Sequence, residues 1–175
     1  MKRITKAMTL TLILGLVMVV PVLADATVTI SGGALSVTPQ SIDFGTVTLD
    51  GTDQTVTDQD VTNWVAVDPT GTGSGWHVTI AATDFSDGTH TIAVSNFSVK
   101  LDDANVSTVY GNTAPTSSIT AYTALSGTAQ TLLGAASDEG MGTYNFVPDF
   151  QLDVAAETYT GTYTSTVTVA IVSGP

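Results

Sequence analysis

Cysteine is absent from the 175-residue sequence, and histidine and basic residues are scarce. Without cysteine the chain has no disulfide framework, and no cysteine follows the N-terminal segment to carry a lipid anchor. Packing must therefore hold the fold together. Two histidines and four basic residues also leave few of the side chains that usually serve as catalysts or as transition-metal ligands.

Catalytic motifs are missing from the sequence as well. Neither His77 nor His90 has a partner at a metal-ligand spacing, and His77 is expected on the solvent face of its strand. No serine stands in a Gly-x-Ser-x-Gly turn. The glycine-rich stretch at 71–75 precedes a predicted strand, so it lacks the helix N-terminus that binds phosphate. We predict that the protein is not an enzyme; a glycosidase would need two carboxylates facing each other across a cleft, which a sequence does not locate.

The N-terminal residues have the pattern of a secretory signal peptide. Lys2, Arg3 and Lys6 precede an apolar run at 7–20, and small residues up to Ala24 offer a cleavage point. The run is shorter than the roughly 20 residues that span a bilayer. We predict a signal peptide at residues 1–24, a single mature domain at 25–175, and a secreted, extracellular location. A retained pilin-like helix is the alternative.

Charge becomes strongly one-sided once this segment is removed. Lys100 is then the one basic residue against 16 acidic residues, which gives a net charge of −15. Such a field repels phosphate backbones and anionic lipid headgroups. We therefore predict neither nucleic-acid binding nor direct membrane binding.

The mature sequence is rich in threonine, valine and isoleucine, with apolar residues at alternate positions, which is typical of β-strands. Turn residues such as those at 50–51, 68–69 and 87–88 separate the alternating segments. About ten short strands in one domain predict an all-β, Ig-like or Greek-key β-sandwich. The candidate strands lie at residues 27–30, 35–37, 42–49, 61–67, 76–82, 90–94, 97–101, 106–110, 119–124, 130–133, 144–150 and 162–172.

Four aspartates cluster between two predicted strands. Asp50, Asp53, Asp58 and Asp60 offer the hard oxygen ligands that suit calcium, although their spacing matches no EF-hand loop. They are candidates for a calcium site, and the alternative is a solvated acidic loop. No other cofactor is predicted.

Trp64 and Trp76 are the bulkiest side chains. An exposed tryptophan could stack on the sugars of a wall polymer. Because each lies in an alternating apolar pattern, a position in the core is the favoured interpretation.

Two parts of the chain resemble the WxL family of bacterial surface proteins, which is named for a Trp-x-Leu motif that occurs twice. Residues 42–47 read IDFGTV and residues 65–80 read VAVDPTGTGSGWHVTI. They are similar to the family's DFG-containing strand, its Asp-x-x-Gly-x-Gly-x-Gly-Trp turn and the strand with the first motif. Residues 159–171 read YTGTYTSTVTVAI, similar to the family's C-terminal Gly-Thr-Tyr strand. The order and the separation of these segments also agree with the family.

The motifs themselves differ from the family's pattern. Residues 76–78 read WHV, with valine in place of leucine, and residues 169–171 read VAI, without tryptophan. Strand residues two apart share a face, so each motif remains an apolar pair. Two roles are open, packing in the core, which the pattern favours, or ligand recognition. The residues concerned are Trp76, Val78, Val169 and Ile171.

The resemblance implies a non-catalytic module at the cell surface or in the cell wall. It would associate non-covalently with the peptidoglycan of Gram-positive cells, or with a partner surface protein. A second hypothesis is a structural subunit of a surface layer or filament that self-assembles by β-strand pairing, with or without calcium.

Overall fold

The computed structural model describes residues 26–59 and 62–175. The predicted signal peptide at 1–24 lies outside the described residues. Two units are distinguished, Met1–Ile30 and Ser31–Pro175. In the first unit, the described residues 26–30 are exposed and form no strand, so the strand predicted at 27–30 is wrong. No helix among the described residues has the length and apolar character needed to cross a membrane.

Strands account for nearly all regular structure among the described residues. Two short 3-10 turns, Val94–Asn96 and Asp103–Asn105, are the helical elements there. The fourteen strands are β1 Ser36–Thr38, β2 Gln54–Thr57, β3 Trp64–Asp68, β4 Trp76–Ala82, β5 Phe85–Ser86, β6 Thr91–Ile92, β7 Phe97–Lys100, β8 Val106–Gly111, β9 Thr116–Ser117, β10 Thr123–Ala124, β11 Gln130–Ala135, β12 Gly142–Phe146, β13 Asp149–Val154 and β14 Val167–Ser173.

The strands pair in antiparallel fashion throughout the described part of the chain. Sheet 1 has the order β1-β3-β12-β8, sheet 2 the order β10-β7-β13-β2, and sheet 3 the order β14-β4-β11-β9, while β5 and β6 form a two-stranded ribbon. The sheets pack in a sandwich-like arrangement, which confirms the all-β prediction.

Alternation along the strands builds one core. In β3 and β4 every second residue is buried, beginning with Trp64 and Trp76. The favoured interpretation of both tryptophans as core residues is confirmed, since 3% of Trp64 and 0% of Trp76 remain accessible. Trp64 packs on Phe146 and Phe150, with ring centroids 5.8 and 5.7 Å apart.

The segment at 42–49 differs from the strand predicted for it. Ile42, Phe44 and Val47 pack against the core, yet the segment joins no sheet. The Asp43 carboxylate accepts a hydrogen bond from the Gly45 N–H at 2.8 Å, and Gly45 has a φ of 67°. This local turn ends the extended path. Residues 42, 44, 47 and 49 are therefore partly buried without forming a strand ladder.

Residues 144–150, predicted as one strand, form parts of two. β12 belongs to sheet 1 and β13 to sheet 2, with Val147 and Pro148 between them. Proline has no N–H to donate to a ladder, so the strand ends there and the chain changes sheets. The strands β2, β5 and β9 lie outside all of the predicted strands.

Candidate functional site

The two WxL-like motifs lie side by side on neighbouring antiparallel strands. In the register of β4 and β14, Ile171 is opposite Val78 and Val169 is opposite Ile80. Opposed residues of an antiparallel pair project to the same side of the sheet. The structure therefore joins two sequence-distant motifs into a single apolar patch, which we call the motif patch: Trp76, Val78, Val169 and Ile171.

Trp76 is the anchor of the motif patch. Its Nε1–H donates a hydrogen bond of 2.9 Å to the carbonyl oxygen of Gly140, and its ring lies 6.3 Å from the ring of Tyr144. A Cβ on Gly140 would approach Nε1 to 2.8 Å, so a side chain there would displace the indole. Trp76 and Val78 have no accessible surface, and Val169 and Ile171 are half-buried against the core. In this arrangement the motif patch packs the core.

Tyr144 is a buried neighbour of Trp76. Its hydroxyl donates to the carbonyl oxygen of Met141 at 3.1 Å and lies 3.2 Å from the Asn112 Oδ1 atom. Burial raises the pKa of the Tyr144 hydroxyl above its ordinary value. The hydroxyl therefore stays protonated and acts as a buried donor.

The glycine-rich turn before Trp76 is held by its own polar side chains. Asp68 is buried, and its carboxylate accepts hydrogen bonds from the Thr70 N–H at 2.9 Å and the Thr70 hydroxyl at 2.6 Å. Gly75 has a φ of 70°, and a Cβ there would lie 2.5 Å from the Ala135 carbonyl oxygen. Only glycine fits that position without strain. This family-like turn thus has a structural role, which is to position Trp76 in the core.

The end of β14 forms hydrogen bonds with the end of this turn and the start of β4. The Gly174 N–H donates to the Gly75 carbonyl oxygen at 3.0 Å, and the His77 Nδ1 atom donates to the Gly174 carbonyl oxygen at 2.8 Å. His77 is half-buried, so its predicted solvent exposure is wrong in part. The pairing of β14 with β4 extends to Ser173, which lies opposite Trp76. It places the Gly174 carbonyl oxygen beside the His77 imidazole, a contact that no sequence pattern indicated.

The described aspartates of the candidate calcium loop bond to three different backbone segments. Asp50 accepts from the Thr52 N–H and hydroxyl, Asp53 accepts from the Ala156 N–H at 2.9 Å, and Asp58 accepts from the Asp43 N–H at 2.8 Å. The Thr52 hydroxyl lowers the pKa of Asp50. Asp60 lies outside the described residues. Within the described part of the chain no three metal-ligating side chains converge, and calcium binding stays a prediction.

A second feature is a cleft that sequence analysis did not predict. It has a volume of about 360 Å³ and lies between the turn around residues 87–93 and the segment 155–163 that follows β13. Tyr159 and His90 stack in it, with ring centroids 4.0 Å apart and planes at 13°. Tyr159 belongs to the second family-like segment, but no pattern in the sequence placed His90 against it.

Comparison with known proteins gives one family. The family model described as "WxL domain surface cell wall-binding" matches residues 21–175, which is nearly the whole chain. No curated protein and no solved structure shows a significant match.

Proposed function

The chain belongs to the WxL family of surface cell wall-binding domains, and from this premise we propose that it associates non-covalently with peptidoglycan at the outer surface of a Gram-positive cell, without catalysing a reaction. Family membership over nearly the whole chain is the observation that carries the proposal. The protein would be secreted and retained in the wall by contacts of its folded domain. A partner surface protein is the alternative ligand.

In this proposal the motif patch does not supply the wall contact. Its side chains point into the core, and the replacement of leucine and tryptophan by valine and isoleucine keeps them apolar. Apolar substitutions of this kind preserve burial better than they preserve recognition of a polar ligand. We therefore assign the patch to folding and the wall contact to solvent-facing groups elsewhere on the domain.

A sedimentation assay with isolated walls tests the proposal. The purified protein is mixed with purified Gram-positive cell walls and centrifuged, beside a WxL protein with both motifs intact and an unrelated protein of similar acidity. The protein is expected to sediment with the walls and to be released by soluble peptidoglycan fragments. Retention in the supernatant while the intact-motif protein sediments would contradict direct wall binding.

The edge strand β8 favours a second candidate function, a self-assembling structural subunit. β8 is outermost in sheet 1, carries no charged residue or proline, and exposes Tyr110 to 77% and Val109 to 43%. An edge of this kind offers unpaired backbone groups to another strand. Size-exclusion chromatography with and without calcium tests it: assembly that Val109→Lys abolishes supports this function, and a monomer under both conditions contradicts it.

A further inference from the structure

The cleft between residues 87–93 and 155–163 presents an aromatic ring to solvent. Tyr159 is 65% exposed although one face of its ring is covered by the His90 imidazole. The opposite face is therefore free to contact a ligand. A volume of about 360 Å³ lies within the range of small-ligand sites, roughly 300–1,000 Å³.

Asp87 fixes the ring that supports Tyr159. Its Oδ1 atom accepts hydrogen bonds from the N–H groups of Thr89 at 2.7 Å and His90 at 2.6 Å, and its Oδ2 atom accepts from the His90 Nδ1 atom at 3.1 Å. The imidazole is thus held in one orientation by the turn on which it lies. A ring fixed in this way loses little conformational entropy when a ligand stacks on its partner.

Hydrogen bonds also hold the segment that contains Tyr159 against the turn that contains His90. The Tyr163 hydroxyl donates to the Tyr159 carbonyl oxygen at 3.0 Å, and Ser86 and Thr164 exchange two backbone hydrogen bonds of 2.9 and 3.0 Å. Two sequence-distant segments therefore hold the stacked pair together before any ligand is present. Such preorganisation is typical of a binding platform.

The rim of the cleft is polar. Hydroxyl, amide and carboxylate groups of Thr89, Asn96, Glu157 and Thr158 surround the stacked rings, and none of the described lining residues is lysine or arginine. Hydroxyl-rich ligands bond to such groups, and the axial C–H bonds of a pyranose ring pack on an aromatic face. The acidic field of the mature chain works against phosphate-bearing polymers.

We propose that this cleft binds the uncharged pyranose rings of a wall glycan strand, with Tyr159 as the stacking platform and His90 and Asp87 as positioning residues. The inference deepens the proposed function and rests on it, because it locates wall contact at this cleft and identifies the saccharide as the part of the wall that is recognised. A stem peptide is the competing ligand.

Titration with a soluble saccharide tests the cleft directly. The linear tetrasaccharide of N-acetylglucosamine is titrated into the purified protein by calorimetry, and a free stem peptide is titrated in parallel. Tyr159→Ala is expected to weaken tetrasaccharide binding about tenfold, since it removes one stacking contact. Tyr159→Phe keeps the ring and should bind as the unchanged protein does. Tyr110→Ala removes another exposed tyrosine, 77% accessible against 65% for Tyr159, and is the control outside the cleft.

His90 has its own readout. His90→Ala should weaken tetrasaccharide binding, and His90→Phe should restore it because a phenyl ring can stack on Tyr159 without the Asp87 contact. Rescue by phenylalanine would show that His90 acts by positioning the Tyr159 ring. Circular dichroism and the urea midpoint of every variant monitor any general loss of structure.

The outcomes separate this inference from the proposed function. If the unchanged protein and Tyr159→Ala sediment equally with walls, the assignment of the wall contact to this cleft is wrong and the proposed wall binding stands. If the protein fails to sediment but binds the tetrasaccharide through Tyr159, the cleft stands and wall association fails. Binding of the stem peptide alone, or no binding of the tetrasaccharide, overturns the glycan assignment.

Discussion

Ile171 lies directly opposite Val78 in the pairing of β14 with β4, so the third residue of the last motif contacts the third residue of the first. Val78 is fully buried and Ile171 is half-buried. The two motifs of the family meet in this structure as a cross-strand pair. The register of β14 with β4 thus places the two motifs together although they are distant in the sequence.

This contact predicts coupled stability. Val78→Ala should lower the free energy of unfolding by about 2 kcal/mol, and Ile171→Ala by no more, because only the buried part of its side chain contributes. The free energy of unfolding lost in the double variant should be about 0.5–1 kcal/mol smaller than the sum of the two single losses, since residues in contact are not independent. Urea unfolding measures all three. Strict additivity would show that the pair does not interact.

The turn before Trp76 predicts a difference between two glycines of similar backbone conformation. Gly71 and Gly75 have φ values of 67° and 70°, but only at Gly75 would a Cβ meet the Ala135 carbonyl oxygen. Gly71→Ala should lower the free energy of unfolding by about 1 kcal/mol, because alanine is strained in the left-handed conformation. Gly75→Ala adds a backbone clash and should cost roughly 3 kcal/mol or more. Equal urea midpoints for the two variants would contradict the close approach.

Restoring the second tryptophan distinguishes packing from recognition. Val169 is half-buried opposite Ile80, and the family pattern has tryptophan at this place. If the motif patch packs the core, Val169→Trp should leave the wall-bound fraction unchanged in the sedimentation assay and alter only the urea midpoint. A marked rise in the wall-bound fraction would assign a binding role to this position. Ala170→Trp, on the opposite, exposed face of β14, is the matched control.

Much of the fold follows from sequence patterns, and the exceptions have physical reasons. The range predicted for β4 is that of the structure, because alternation is unbroken from Trp76 to Ala82. In the segment at 42–49 the alternation breaks between Phe44 and Val47, and the side chains there pack on the core without joining a ladder, since burial needs an inward-facing side chain and not strand pairing.

The two candidate sites differ in how far the sequence could lead to them. The face shared by Trp76 and Val78 was predictable from period two, but the register that sets Ile171 against Val78 depends on pairing between distant strands. The cleft was not predictable, because the stacking of Tyr159 on His90 joins two segments that are distant in the sequence and that no sequence motif connects.

Acid should weaken the turn that supports Tyr159. Hydrogen bonds from the backbone N–H groups of His90 and Thr89, together with the His90 ring, lower the pKa of Asp87 from 3.8 to about 2. A carboxylate with a lowered folded-state pKa contributes stability above its ordinary pKa, and that contribution is lost as pH falls from about 4 to about 2.

Asp87→Asn tests this pH dependence because it removes the titrating group. The unchanged protein should lose stability more steeply than the variant between pH 4 and pH 2, as urea midpoints at each pH would show. Parallel curves for the two proteins would show that Asp87 does not control acid stability. Asp84→Asn, which alters a neighbouring aspartate that accepts from the Val94 N–H, is the control.

The bond between His77 and Gly174 joins residues 97 positions apart. Sheet 3 is incomplete until β14 has paired with β4, so one side of β4 depends on contacts of long sequence range. Such topologies fold slowly, because loop closure must come before the contacts that offset its entropy. The secretion predicted from the sequence would benefit from this delay, because a chain in which β14 has not yet paired with β4 is still open enough to pass through a translocation pore.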